Sequence, residues 1–471
     1  MVSVEIPYPL GLSRRDLVKA GIAVGATFVV SAGSPQTARA TGSSGLRIGV
    51  IGGGMAGLET AWLLDGIHRV TLLEREAVIG GHATSVDVTV GDTERTIDVG
   101  AQFFSERSYR NFWKLVTATL VVPVVPATMT IAMWDCGATN LTFSSVDPNA
   151  NIDNAVAMLN FTTAAQTDWV GPDRTGMGAW ETTLEQYVDP LAIPQSAKDG
   201  FIYPLLAALN GTSTQENKAV AARGGVAFLA RPVDLADPMG VIYHNVRDGM
   251  RAVADALIAQ LTTTDVHTAT DVVGLARTGD EFVVTAADGR RLTFDQIVLA
   301  LPPRPAASLV DQLGTGGSSI RAIYEQQPYF TSTVAIHTDP AYMPDDPATW
   351  ASYNARNDGD YCEASMWYGA IQEQAAGLPL FKSWITHRRE APANVLATAD
   401  YEHPNITPGF IDAQRALDAR QGTDGIWFAG THTYDVDSQE SALISACRVA
   451  ERLAPASPRL AALAPAITAI W

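Results

Sequence analysis

The chain has 471 residues, 47% of them hydrophobic, and a formal net charge of −18 at pH 7. That apolar content suits a large buried core in two intimately joined domains. The acidic balance, with no basic stripe, removes nucleic acid from the expected partners.

The first forty residues read as a targeting segment and not as part of the fold. Ser13-Arg14-Arg15-Asp16-Leu17-Val18-Lys19 resembles a twin-arginine export signal. Ala20 to Gly33 supplies its apolar run, and Ala38-Arg39-Ala40 a small-x-small cleavage site. The run is too short for an ordinary membrane span, and no Cys follows the cleavage site to carry a lipid. The expected partner is the twin-arginine translocase. The expected mature protein starts near Thr41, lacks a stable membrane span, and resides in the periplasm or outside the cell.

The fold begins with a strand, Leu46 to Ile51, followed by Gly52-Gly53-Gly54-Met55-Ala56-Gly57. Apolar residues at helical spacing continue through Leu64, and a second strand, Arg69 to Leu73, ends on Glu74. A glycine motif inside a β-α-β unit, with a carboxylate 20 residues after Gly54, is a dinucleotide-binding fingerprint. Gly52 permits the tight turn, Gly54 lets backbone approach a pyrophosphate, and Gly57 lets helix and strand pack closely. The helix N-terminus, starting at Met55 and Ala56, turns unpaired N–H groups towards phosphate oxygens. Glu74 is expected to accept hydrogen bonds from the ribose hydroxyls.

A hairpin follows, Ser85–Val90 and Arg95–Val99 turned by Gly91-Asp92, and then a largely helical stretch from 106 to 240 broken by prolines. Alternating β-branched segments return near 264–300. Residues 311–420 are mixed; a last strand, Gly425 to Ala429, leads through Gly430 to a helix at about 440–453. Three cysteines (Cys136, Cys362, Cys447) make no disulfide framework. No CxxC, HExxH or His/Cys cluster has metal-ligand spacing, and no metal is expected.

Several of these segments resemble the flavin-containing amine oxidase superfamily over most of the mature chain. Arg75 to His82 is similar to the family's second glycine pair, Gly80-Gly81, which wraps the FAD diphosphate and moves the expected cofactor from NAD to FAD. Gly100-Ala101-Gln102 resembles the stretch that passes the isoalloxazine. Asp248-Gly249-Met250 resembles the return into the FAD domain, Val272 with Leu275 the adenine-side strand, and Ala300 to Pro303 its close. Gly430-Thr431 and the helix start at Glu440-Ser441-Ala442 resemble the final motif, where a helix N-terminus points at the flavin O2 edge and stabilises negative charge there. Within the superfamily the likeness is greatest to a bacterial group of predicted NAD/FAD-binding proteins, on Gly80-Gly81-His82, Glu106 to Phe112, His337-Thr338-Asp339 and Tyr401-Glu402-His403-Pro404. Three positions depart from the family pattern: His82 stands where an Arg is frequent, Thr431 where an acidic residue stands, and Ser441 where many members have Gly.

The resemblance implies an α/β fold in which a Rossmann-like FAD-binding domain (45–105, 241–310, 421–455) is interleaved with an α+β substrate domain (106–240, 311–420). Residues 456–471 form a peripheral tail. It also implies hydride transfer from an organic substrate, an amine or amino-acid-like compound foremost, to FAD, which O2 or another acceptor reoxidises. The alternatives are a desaturase or isomerase of a lipid or isoprenoid, and a flavin-bound accessory protein without turnover. Catalytic candidates are His432, just past Gly430; His403, on the stretch leading to the C-terminal motif; and Lys382, since many superfamily members hold a Lys near the flavin N5. Lys382 also reads as a surface or strand-edge residue. His82 is expected on phosphate, and Trp427 and Tyr434 are candidates for an aromatic wall or for plain core.

Overall fold

The structure, a computed structural model, describes residues 45–147, 150–170, 180–230, 243–372 and 375–467. The export segment read at residues 1–40 lies outside the described residues, as does the end of the tail at 468–471. β1 (Arg47–Ile51) runs through the glycine turn into α1 (Met55–Leu64), and α1 into β2 (Arg69–Leu73). β3 (Ser85–Val90) and β4 (Thr93–Asp98) form the expected hairpin, with Gly91 at φ +62° in its two-residue turn. β5 (Val124–Ala127), β6 (Ile131–Asp135) and β7 (Phe143–Ser144) precede a helical region. β8 (Tyr243–Val246) leads to α2 (Arg251–Ala259), then to β9 (Asp265–His267), β10 (Val272–Thr278), β11 (Glu281–Ala286), β12 (Arg291–Phe294) and β13 (Gln296–Leu299). Next come β14 (Tyr329–His337), β15 (Tyr353–Asn357), β16 (Cys362–Trp367), β17 (Phe381–Trp384) and β18 (Val395–Pro404), and finally β19 (Ile426–Phe428) and α3 (Gln439–Leu453).

A five-stranded sheet runs β19-β13-β1-β2-β9 with every pairing parallel. Parallel strands need crossovers and are covered on both faces, which is why β1 and β13 read as short apolar runs without alternation. All ten residues of α1 are buried, because it packs between this sheet, α2 and α3. A small antiparallel sheet, β10-β11-β12, adjoins it in sequence, and a seven-stranded sheet runs β18-β14-β17-β16-β15-β6-β7. That large sheet is antiparallel except between β6 and β15. One core gathers Leu58, Trp62, Val253 and Leu443 around the three helices, and another gathers Phe161, Phe201, Leu205 and Ala364 near the large sheet. The parallel sheet draws strands from residues 47–73, 265–299 and 426–428, and the large sheet from 131–144 and 329–404. This is the expected mixed α/β architecture, a Rossmann-like unit interleaved with an α+β part.

The tail differs from expectation over the residues described. Ser457 Oγ donates to the Leu63 carbonyl at 2.7 Å, and the Arg459 guanidinium donates to the carbonyls of Trp62 and Gln260. Leu460 and Leu463, three apart on the short helix Pro458–Leu463, are both buried. An Ala/Pro-rich composition concealed an apolar pair at helical spacing. Among the described residues, no helix is long and apolar enough to cross a membrane.

Candidate active site

The glycine turn after β1 is closed by contact. Gly52 sits at φ +105°, and a Cβ there would lie 2.3 Å from the Ala300 carbonyl oxygen; a Cβ on Gly57 would lie 1.9 Å from the Gly52 oxygen. Neither position has room for a side chain. At Gly54 the reverse holds: nothing lies within 4 Å of where its Cβ would stand. Gly54 is the N-cap of α1 and offers no side-chain cap, so the first N–H groups of the helix, at Met55 and Ala56, are left to a ligand. That is the donor set a diphosphate takes. The second glycine pair packs on this cradle, with the Gly80 N–H donating to the Gly53 carbonyl at 2.9 Å and the Gly81 Cβ position 3.0 Å from Gly54 Cα.

Glu74 is fixed at the end of β2. Its Oε2 accepts the Gly53 N–H at 2.6 Å and its Oε1 the Glu76 N–H at 2.7 Å. Each oxygen keeps a lone pair for a ribose hydroxyl. Arg75 does not turn into the cradle; it is exposed, with Nε 2.9 Å from Glu76 Oε1. Val272, at the start of β10, follows a segment tied to Glu74 by the Thr270 N–H at 2.7 Å. Ala300 abuts both Gly52 and Gly57.

The 100–102 segment runs beside the second glycine pair. The Ala101 N–H donates to the His82 carbonyl at 2.7 Å, and a Cβ on Gly100 would lie 2.1 Å from that oxygen. Lys382 reaches the same place from β17, donating from Nζ to the Gly100 carbonyl at 2.5 Å. It is 2% exposed and stands on an interior strand, between β14 and β16, so the surface reading is corrected. The apolar pair before it, Leu380-Phe381, reads as an edge only while the partner strands are unknown. Burial pulls the Lys382 amine down to about 8, against the opposing charge of Asp98. Asp98 is pushed up to about 6 by burial, although Ser85 Oγ and the Met250 N–H donate to it at 2.6 and 2.7 Å. Gln102 is buried with its Nε2 unpartnered.

β19 delivers Gly430, whose N–H donates to Ser445 Oγ at 2.8 Å. His432 does not present itself at this edge. It is 2% exposed, lies 5.6 Å from the Tyr324 ring, and is lowered to about 3 by burial. The turn after Gly430 rolls it into the core. Trp427 and Tyr434 are core as well. At α3, Ser438 caps the helix by accepting the Ser441 N–H at 3.1 Å, and Ser441 and Ala442 are buried. The Glu440 carboxylate points elsewhere, accepting from Asn111 Nδ2 at 2.7 Å and the Phe112 N–H at 2.8 Å. Its contribution to the edge is backbone, while the buried Gln439 Oε1 is left without a partner.

His403, at the end of β18, stands beside His82 with ring centroids 5.1 Å apart, and His82 stands 4.9 Å from Tyr401. His403 Nδ1 lies 2.9 Å from Asp437 Oδ2. Ligand-type atoms of His82, His403 and Asp437 all lie within 4.8 Å of one another. Burial, and next the charge of His403, lower His82 to about 4. Burial works to raise Asp437, but hydrogen bonds from His403 and Thr431 outweigh it and hold the carboxyl below its usual range. Asp437 escaped sequence reasoning; its one signal was a carboxylate six residues after Thr431. The triad joins residues 82, 403 and 437, so no local spacing announces it. His337 takes no part, since its Nε2 is buried against Ser383 Oγ at 2.7 Å.

The uncapped α1 N-terminus, the space over Gly54 and the Glu74 acceptors fit a large polar ligand with a diphosphate. Comparison with known proteins agrees. The fold resembles a putative protoporphyrinogen oxidase from Exiguobacterium sp. 255-15 (TM-score 0.61, 16% identity, 88% of this chain and 99% of that one). It also resembles a CLA-producing fatty acid isomerase from P. acnes (0.62, 15%, 88% and 99%) and a putrescine oxidase double mutant (0.60, 13%, 87% and 99%). No curated protein sequence matches. The profile of the flavin containing amine oxidoreductases matches residues 55–359, well over half of the chain, which thus belongs to that family of FAD-dependent oxidoreductases.

Proposed function

We propose that this protein is an exported enzyme that takes a hydride from an organic substrate, an amine or amino-acid-like compound foremost, and passes the electrons on to O2 or another acceptor. FAD, when bound, supplies the hydride acceptor. The observation that carries the reading is Lys382, buried and bonded to the Gly100 carbonyl in the segment expected along the isoalloxazine. A lysine amine lowered to about 8 exchanges a proton near neutral pH and is suited to holding a water or a substrate nitrogen.

In this reading the diphosphate lies over Gly52–Gly57 and Gly80–Gly81, and Glu74 holds the ribose. Gly100–Gln102, Gly430–Thr431 and the α3 N-terminus surround the ring system, and His82, expected on phosphate, stands instead beside His403. Residues 45–105, 241–310 and 421–455 form the cofactor domain, and 106–240 with 311–420 the substrate domain. Substrate sits between Lys382 and His403, where the protein orients the reacting carbon and excludes water. Export rests on Ser13 to Lys19 and Ala38-Arg39-Ala40. Replacing Arg14 and Arg15 by Lys should leave the protein in the cytoplasm.

The test is anaerobic bleaching of the yellow protein by a broad panel of amines, followed by peroxide release in air. Bleaching with peroxide supports the reading. A colourless protein that rejects FAD overturns it, and bleaching only by lipids without peroxide moves the chain to the desaturase or isomerase class.

A further inference from the structure

The resemblance implies a carboxylate directly after Gly430, and this chain has Thr431 there. The fold supplies one from six residues on. Asp437 returns to the same edge, takes a hydrogen bond from Thr431, and meets His403 Nδ1 at 2.9 Å. With Nδ1–H committed to the carboxylate, His403 keeps Nε2 as its free, basic nitrogen, the arrangement that fixes tautomer and orientation in acid–base catalysis. The pair is reachable: the side chains of His403 and Asp437 are each 29% exposed.

The segments around this pair are those assigned above to the cofactor. His82 follows Gly81, which packs on Gly54, and its carbonyl holds the Ala101 N–H. Four polar or titratable groups face the pair: His82 from the glycine loop, Tyr401 from β18, Thr431 after β19, and Tyr329 from β14, which interacts with Asp437. Phe330 closes the side of the His403 ring at 5.7 Å. Neutral His82 places no positive charge beside an arriving cation.

We propose that His403 is the base that takes a proton from the substrate's ammonium group, with Asp437 as its positioning residue. This rests on the amine reading above. The ammonium nitrogen gives one proton to Nε2, leaving a neutral amine and an imidazolium that Asp437 stabilises. As the α-carbon gives up its hydride, with both electrons of the C–H bond, to the acceptor that FAD would supply when bound, the nitrogen lone pair forms the C=N bond of an iminium product. The proton stays on His403 until water takes it. No further oxidant enters the step.

The test uses the full FAD-loaded protein and a primary amine that bleaches the wild type. The wild-type bleaching rate should rise with pH through one protonation. His403→Gln, still yellow, should be about a hundredfold slower at neutral pH and flat across that limb. Asp437→Asn should displace the limb, and added imidazole should restore part of the rate in His403→Gly. Independently of turnover, the strongly deshielded Nδ1–H proton resonance of His403 should vanish in Asp437→Asn. If His403→Gln fails to hold FAD, His403→Asn and the resonance carry the test. A wild-type limb and rate in His403→Gln, or a resonance unchanged in Asp437→Asn, overturns the proposal. A wild type that no amine bleaches overturns the amine reading first, and the base loses its proton donor with it.

Discussion

Gly54 and Gly57 stand three residues apart in one turn, yet a side chain would act on them in opposite ways. At Gly57 the new Cβ would meet backbone at 1.9 Å, and at Gly54 it would meet nothing of the protein. Gly54→Val should therefore fold with a circular dichroism spectrum like the wild type and purify colourless, whereas Gly57→Val should fail to fold; a yellow Gly54→Val would remove the diphosphate from this place. Glu59 makes a second prediction at this scale. It is fully buried on α1 with both carboxylate oxygens unpartnered, and burial, then the charge of Glu440, raise it well above the ordinary range. The folded state therefore holds a proton that the unfolded chain releases above about 4.5. Stability from this site is full below that pH and is lost as pH rises towards the folded-state value. Glu59→Gln cannot ionise, so its melting temperature should exceed the wild type at pH 8 and match it at pH 4. Parallel curves at both pH values would refute the assignment. The glycines were legible because sterics alone dictate them; Glu59 was not, since a Glu in a helical run reads as solvent-facing until its neighbours are known.

At the scale of elements, α3 shows how a motif can be read correctly and its side chains misassigned. The strand, the glycine and the helix start were visible from Ile426 to Ala442, but the Glu440 carboxylate serves the short helix Arg110–Lys114, more than three hundred residues earlier. Glu440→Ala would leave the N–H groups of Asn111 and Phe112 without their acceptor and the Asn111 amide with the Ala466 carbonyl alone. Unsatisfied buried donors cost about 1–3 kcal/mol each and not additively, so a loss of about 3 kcal/mol in chemical denaturation is expected, with the yellow colour kept. A colourless Glu440→Ala of unchanged stability would place the carboxylate on the cofactor after all. Lys382 and His432 exchanged places for the same reason. A single sequence shows which residues lie near a motif, and only the strand partners of β17 and the roll of the turn after Gly430 decide which of them reaches the Gly100 carbonyl.

At the scale of the whole molecule, the parallel sheet and the interleaving were legible from short apolar runs and the order of the motifs, but the large sheet was not: its strands lie at 131–144, in a stretch that reads as helical, and at 329–404, in one that reads as mixed. The anchoring of the tail and the meeting of His82, His403 and Asp437 depend on long-range closure, which leaves no local trace. Deleting residues 457–471 should remove two buried leucines, worth about 1.5–3 kcal/mol each, together with the Arg459–Asp65 ion pair at 3.0 Å. The truncated protein should unfold at a clearly lower denaturant concentration; an unchanged midpoint would make the tail peripheral. The central position of β1 also has a consequence in time. Its neighbour β13 begins 245 residues after Ile51, so at synthesis rates of about 5–20 residues per second that edge stays unpaired for roughly 12–50 s. During that interval the nascent chain offers a short apolar strand edge to any passing partner, and a holding chaperone on the ribosome-bound chain should raise the yield of yellow protein more than the same chaperone added after release.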